Sequence, residues 1–281
     1  MNGGNSVALR ADGKRVRKAD PMYTVVPYIM DKRNDAMNMI TVDVPVQPIQ
    51  DYINQKRKEG IKLNHMSVIL AAYIRTVYEF PLLNNFIVNK KIYKHNDFKV
   101  AMVVLKNLAT QEETMSKVKF ELDDDIFEVN RKMTEYVEEN SKTTSVNNTD
   151  KMIKFLVSLP GLLLVGVGLF KLLDRYGLLP KFIVDLSPFH SSLTLTNLAS
   201  IRTNHIYHHI YNFGTTSVFI AMGKNREVAK RKNGEIVFEK CMPLGVVMDE
   251  RICSGIYFAS AFRKLSTYLE NPGLLEEKPE N

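Results

Sequence analysis

The chain has 281 residues, 45% apolar and 25% charged, enough for one large or two small globular domains with a sizeable core. Its net charge of +7 tolerates an anionic partner, whether a coenzyme phosphate, a membrane surface or a nucleic acid, without choosing among them. Two cysteines, Cys241 and Cys253, supply neither a disulfide framework nor a zinc ligand set, so a reducing, cytoplasmic compartment is expected.

Residues 1–20 are polar and basic, with Lys14, Arg15, Arg17 and Lys18 close together, and predict a flexible arm without a signal peptide. Residues 39–44 are rich in β-branched side chains and predict a strand. Pro48 sits in the first turn of an amphipathic helix that carries Ile49, Tyr52 and Ile53. Lys56, Arg57 and Lys58 are placed on its wet side, and Gly60 ends it. Asn64 is the expected N-cap of a helix over 66–80. That helix is apolar on most sides and is therefore predicted to be buried. Residues 86–88, the turn Asn89-Lys90 and residues 92–93 predict a hairpin, followed by a strand over 98–105. Asp123, Asp124 and Asp125 precede a helix reaching about Asn140. Acidic residues at a helix start favour the macrodipole, so they read as capping rather than as a metal site. Residues 142–149 form a polar linker.

Residues 155–170 are uncharged between Lys154 and Lys171 and are broken by Pro160-Gly161. A spanning helix needs roughly 20 apolar residues, so this run is too short to cross a bilayer. The favoured expectation is a buried helical hairpin. Two others stay open: the wall of an acyl-chain tunnel, and an anchor in a membrane interface, which would make the protein membrane-associated.

Residues 193–198 alternate and predict a strand. His205, His208 and His209 follow as a cluster. In a strand, alternation puts Ile206, His208 and Ile210 on one face and His205, Tyr207, His209 and Tyr211 on the other. The sequence offers no further ligands for a metal there. Strands are predicted over 216–222, 235–239 and 244–248. Asp249-Glu250-Arg251 is a charged turn after the last of them. Ser254-Gly255 then opens a helix with apolar Ile256, Ala259, Phe262, Leu265 and Leu269, which Asn271-Pro272-Gly273 stops.

This last stretch resembles the C-terminal signature of the catalytic domain of 2-oxoacid dehydrogenase acyltransferases, and more distantly chloramphenicol acetyltransferase. The family pattern is D-H-R-x-x-D-G, a strand before it and Y-L-E-x-P-x-L-L after it. Here the chain has D-E-R-I-C-S-G, then Tyr268-Leu269-Glu270-Asn271-Pro272-Gly273-Leu274-Leu275. Asp249, Arg251 and Gly255 match. Glu250 stands in the place of the catalytic histidine, and Ser254 in that of a structural aspartate. Two earlier phrases agree in order: Glu79-Phe80-Pro81-Leu82-Leu83-Asn84 resembles E-F-P-x-L-N, and Leu193-Thr194-Leu195-Thr196-Asn197-Leu198 resembles F-T-I-S-N-L.

The resemblance implies an α/β fold, a two-layer sandwich with a large mixed β-sheet, chloramphenicol acetyltransferase-like. It implies one acyltransferase-like domain over 21–281, with an apolar insertion at about 150–188. It also implies a homotrimer with active sites between subunits, and acyl-CoA or another acyl thioester as substrate, with no metal and no covalent lipoyl group. In the family the histidine deprotonates a thiol, and a strand hydroxyl, here Thr196, stabilises the oxyanion. Glutamate, ordinarily near about 4.3, is a weak base for a thiol near about 8.5. Burial raises a carboxylate by a few units, and a glutamate so tuned acts as a base. Glu250, Thr196, His208 and His209 are thus the catalytic candidates, and Asn197, Ser254 and Arg251 the substrate-binding ones. Ser254 cannot pair with an arginine as the aspartate does, so Arg33 needs another partner or water. The alternative is a catalytically inactive binding or assembly subunit. Nucleic-acid binding is not expected, because the basic residues form no recognisable module with exposed aromatics.

Overall fold

The computed structural model describes residues 10–107, 112–141, 151, 154–155, 157–158 and 161–279. The chain begins with β1 (Gly13–Arg15), α1 (Pro21–Ile29), β2 (Met37–Pro45), α2 (Val46–Lys58) and α3 (His65–Glu79). The hairpin β3 (Asn85–Val88) and β4 (Lys91–His95) leads to β5 (Phe98–Asn107), β6 (Glu112–Phe120) and α4 (Ile126–Ser141). Then come α5 (Leu162–Tyr176), α6 (Lys181–Leu186), β7 (Leu193–Asn197), β8 (Val218–Met222) and β9 (Arg226–Lys232). The chain closes with β10 (Glu235–Asp249) and α7 (Gly255–Glu270).

Seven strands form one mixed sheet in the order β2-β10-β8-β7-β5-β6, with β9 paired to β10. β7 runs parallel to both its neighbours, β5 and β8, and the other pairings are antiparallel. Alternation gives the sheet two distinct faces. Leu193, Leu195, Val218, Ile220, Leu244, Val246 and Met248 point into the main core, where α2, α3, α4 and α7 cover them. α3 is buried almost all round, as its composition predicts, and Asn64 caps it by accepting from the Ser67 amide at 2.9 Å. On the opposite face Phe219 and Val247 meet Ile210 in a small second cluster. A separate three-stranded sheet, β1-β4-β3, contains the predicted hairpin, whose turn residues Asn89 and Lys90 take left-handed φ of 48° and 60°.

Several expectations change. The N-terminal segment is not a loose arm where it is described: β1 pairs with β4, and Arg10 is buried; residues 1–9 lie outside the described residues. Lys56 is not on a wet face but buried, donating to Glu59 and Glu276 at 2.9 Å each. The apolar run is not a buried hairpin in this chain. Its described part contains α5, on which Leu164 is 83% and Val165 69% exposed, while residues 156, 159 and 160 lie outside the described residues. Among the described residues no helix is long and apolar enough to cross a membrane. The linker over 142–149 lies outside the described residues. The predicted strands over 235–239 and 244–248 are one continuous β10, and β6 and β9 were not expected. Residues 204–210 form no strand. In α7 the inward stripe is Phe258, Ala261, Phe262, Leu265, Tyr268 and Leu269, so Ile256 and Ala259 face outward.

Candidate functional site

Strand register fixes the first part of the site. Thr196 pairs with Ala221, Ala221 with Gly245, and Gly245 with Thr41, giving one row across β7, β8, β10 and β2. Since Leu193 and Leu195 face the helices, Thr194 and Thr196 face the other side. Thr196 is buried, and the adjacent Asn197 has a buried Oδ1 with no hydrogen-bond partner.

The chain between Thr203 and Gly214 crosses this face. It can do so closely because glycine stands there, Gly223 just after β8 and Gly245 within β10. A Cβ on Gly223 would lie 2.2 Å from the His205 amide nitrogen, and one on Gly245 would lie 2.5 Å from the Ile206 carbonyl oxygen. Thr41 then holds the crossing segment, with its hydroxyl 3.0 Å from His205 Nε2 and 2.6 Å from the Tyr207 hydroxyl. His208 stacks on Phe219 with ring centroids 4.2 Å apart, and its Nε2 is buried without a partner. Phe219 pairs with Thr194, so His208 lies over the part of the sheet that carries Thr196. Burial and the neighbouring His209 hold the His208 imidazole below its ordinary pKa, so it is neutral at pH 7. His209 itself is exposed.

The second part lies at the far end of β10. Asp249 is fully buried and receives Arg251 bidentately, Nε on Oδ1 and an amino nitrogen on Oδ2, both at 2.7 Å. Arg251 also donates to the Met30 carbonyl at 3.1 Å, so its group is a structural brace. Arg33 has the partner that Ser254 cannot provide. Its Nε lies 3.4 Å from Asp249 Oδ2, an ion pair without hydrogen-bond alignment. Its amino groups donate to the carbonyls of Tyr211, Gly214 and Ile87. Burial lowers the Arg33 pKa, opposed by the Asp249 charge. Ser254 is the N-cap of α7, accepting from the Tyr257 amide at 3.1 Å. Glu250 is half-buried in the turn, its amide bonded to the Ala36 carbonyl at 2.9 Å.

The two parts do not meet within the chain. Glu250 is five positions beyond Gly245, and Gly245 is two strands from Thr196. At about 3.3 Å per residue and about 4.8 Å per strand, their backbones are on the order of 19 Å apart. The structure therefore joins His208 to the Thr196 face, and Glu250 with Ser254 to the Asp249–Arg251 brace.

A third group was invisible in the sequence. Arg10 donates to Asp12 at 2.9 Å and to Asp174 at 2.5 Å, and His190 Nε2 lies 3.2 Å from Asp174. Burial alone would raise the Asp174 carboxyl, but His190 and Arg10 outweigh it and hold it well below the usual carboxylate range. Asp12, Asp174 and His190 are close enough to hold a cation. The Arg10 guanidinium already bridges both carboxylates, so this is an ion-pair cluster that fastens α5 to the N-terminal segment. Nearby, half-buried Lys117 donates to the carbonyls of Val184 and His190, and partial burial lowers its pKa to about 7.

Residues 189–276 match the family described as 2-oxoacid dehydrogenases acyltransferase (catalytic domain). No curated protein matches the chain by sequence. Among solved structures, a probable dihydrolipoamide acetyltransferase from Listeria monocytogenes is 16% identical, with 90% of this chain and 94% of that one covered and a TM-score of 0.56. The Azotobacter vinelandii dihydrolipoamide acetyltransferase, studied for the catalytic roles of a serine, a histidine and an asparagine, is 11% identical, covering 92% and 94%, with a TM-score of 0.58. Chloramphenicol acetyltransferase is 12% identical, covering 92% and 99%, with a TM-score of 0.55. The large mixed sheet has the chloramphenicol acetyltransferase-like fold, and the matched segment contains both the Thr196 strand and the Asp249–Gly255 turn. The C-terminal segment 189–276 is thus similar to the catalytic domain of 2-oxoacid dehydrogenase acyltransferases, and the chain has the fold that chloramphenicol acetyltransferase also has.

Proposed function

We propose that the protein is a CoA-dependent acyltransferase whose active site is completed between subunits of a homotrimer. The observation that carries this reading is the separation of Thr196, on β7, from Glu250, in the turn just after β10, within one chain. A second copy brings the two together in the way the family resemblance implies. The reading treats 21–281 as one acyltransferase-like domain with an insertion at about 150–188. The β9–β10 hairpin, which leaves Ile236 and Phe238 exposed, supplies apolar surface for a neighbouring subunit. The two free cysteines suit a reducing, cytoplasmic compartment.

In this reading Glu250 takes the proton of an acceptor thiol. The thiolate sulfur attacks the carbonyl carbon of the acyl thioester, and the carbonyl electrons move onto oxygen. Thr196 donates a hydrogen bond to that oxyanion, and Asn197 lines the acyl end. Collapse breaks the bond to the coenzyme sulfur, which recovers the proton from the base. Arg251 and Ser254 position the turn that carries Glu250.

A second base is favoured by one specific observation. His208 is neutral, has an unpartnered Nε2, and lies over the Thr196 side of the sheet. Release of free thiol from acetyl-CoA or a longer acyl-CoA, in the presence of a dithiol acceptor, tests the activity. Comparing Glu250→Gln with His208→Asn identifies the base, because the true base loses about 10²- to 10⁴-fold in rate. No thiol release with any acyl-CoA leaves the inactive binding subunit as the reading.

A further inference from the structure

We infer that the cleft between the end of α1, the β3–β4 turn and α5 is a binding site for a phosphate-bearing anion. The cleft encloses about 740 Å³, a normal size for a small-molecule site. Six cationic side chains line it: Lys32, Arg33, Lys90, Lys171, Arg175 and Arg251. They divide into two kinds. Arg33 and Arg251 form the buried floor and are already committed to Asp249 and to backbone carbonyls.

The other four face the open space. Lys32, Lys90, Lys171 and Arg175 are in no ion pair among the described residues. Two of them are held in place without being neutralised. Lys90 lies over the Tyr28 ring at 5.1 Å, and Arg175 Nε donates to Asn89 at 3.3 Å, leaving its terminal nitrogens open to the cleft.

The carboxylates do not balance this charge. Asp174 turns away to Arg10 and His190, which leaves Asp31 as the unpaired acid among the described lining residues. Like charges gathered around one cavity repel, and an anion relieves that repulsion. Open lysine ammonium groups beside an arginine fork suit phosphate oxygens. The inference concerns binding alone and does not rest on the acyltransferase reading.

The neighbourhood explains why two sources of phosphate must be separated. Tyr28 and Ile29 on α1 and Leu172 and Tyr176 on α5 are exposed beside the cleft, as they would be next to a lipid headgroup. The experiment titrates the full chain with inorganic pyrophosphate by calorimetry. In parallel it measures co-sedimentation with phosphatidylglycerol or phosphatidylcholine vesicles. The Lys171→Gln/Arg175→Gln double variant alters exposed side chains, and Lys58→Gln on α2 controls for net charge.

Saturable pyrophosphate binding that the double variant weakens at least tenfold and Lys58→Gln leaves unchanged supports a soluble phosphate ligand. Binding to phosphatidylglycerol vesicles alone, lost in the double variant, supports the headgroup source. Absence of both, or binding that the double variant and Lys58→Gln weaken equally, overturns the site.

Discussion

Asp249 Oδ2 receives Arg251 at 2.7 Å while Arg33 Nε stands 3.4 Å away, so one fully buried carboxylate offsets two buried guanidinium groups. The arrangement ties the last sheet strand to the segment after α1, to the β3 end and to the chain at Tyr211–Gly214. Removing the carboxylate strands both cations. Asp249→Asn is therefore expected to cost about 3–5 kcal/mol in urea unfolding. A midpoint unchanged from the parent would show that Arg33 and Arg251 are satisfied by carbonyls alone.

An active site shared by two subunits has a signature that a site within one chain lacks. In the proposed homotrimer, Glu250→Gln and Thr196→Val are each expected to abolish activity when prepared alone. Unfolding the two together and refolding them creates interfaces that take Glu250 from one copy and Thr196 from the other. Random mixing restores about a quarter of the parent sites, as cyclic symmetry requires. Thiol release in the mixture that stays at the level of the pure variants would refute the shared site.

The buried cluster around Arg10 predicts two stages of acid loss. Burial keeps the His95 imidazole neutral, its pKa lowered to about 4. The unfolded chain binds that proton near the ordinary value of about 6.5, so stability falls as pH drops between the two, by on the order of 3 kcal/mol. Asp12 and Asp174 are depressed below the usual carboxylate range, so their contribution is present at neutral pH and is lost only as pH falls through their folded-state values. Urea midpoints from pH 7 to 3 should decline early and then more steeply, and His95→Asn should flatten the early part. A profile flat down to pH 4 in the parent would contradict the buried neutral imidazole.

Local rules made most of the scaffold legible. The Asn64 cap, the Asn89-Lys90 turn and the apolar circumference of α3 each follow from the identity of a few neighbouring residues. The family phrases placed Thr196 and Glu250 on elements that the structure also forms. What stayed hidden was long-range. Arg10 and Asp174 are 164 positions apart, and nothing near either one announces the other. The exposed face of α5 was misread because apolar composition predicts burial without saying whether the same chain provides the cover. Alternation sorts the histidines onto two faces only if they lie in a strand, and a strand needs a partner ladder; this segment crosses the sheet instead of joining it.

That crossing gives the last prediction. Thr41 can anchor His205 and Tyr207 only while the backbone at Ile206 lies directly on Gly245. A methyl group there would meet the Ile206 carbonyl oxygen at 2.5 Å and the His205 ring at 3.0 Å. The backbone oxygen cannot rotate aside as a side chain can, so the segment must lift. Gly245→Ala is expected to destabilise the fold by about 1–3 kcal/mol, as overpacking does. It should also expose His208, whose unpartnered Nε2 depends on the same cover. The imidazole would then titrate nearer the ordinary histidine value, visible as an upward shift in its NMR titration midpoint relative to the parent. Gly255→Ala, where a Cβ meets nothing, is the control that should leave the midpoint in place. An unmoved His208 midpoint in Gly245→Ala would mean that the histidine is held by Phe219 alone and not by the crossing backbone.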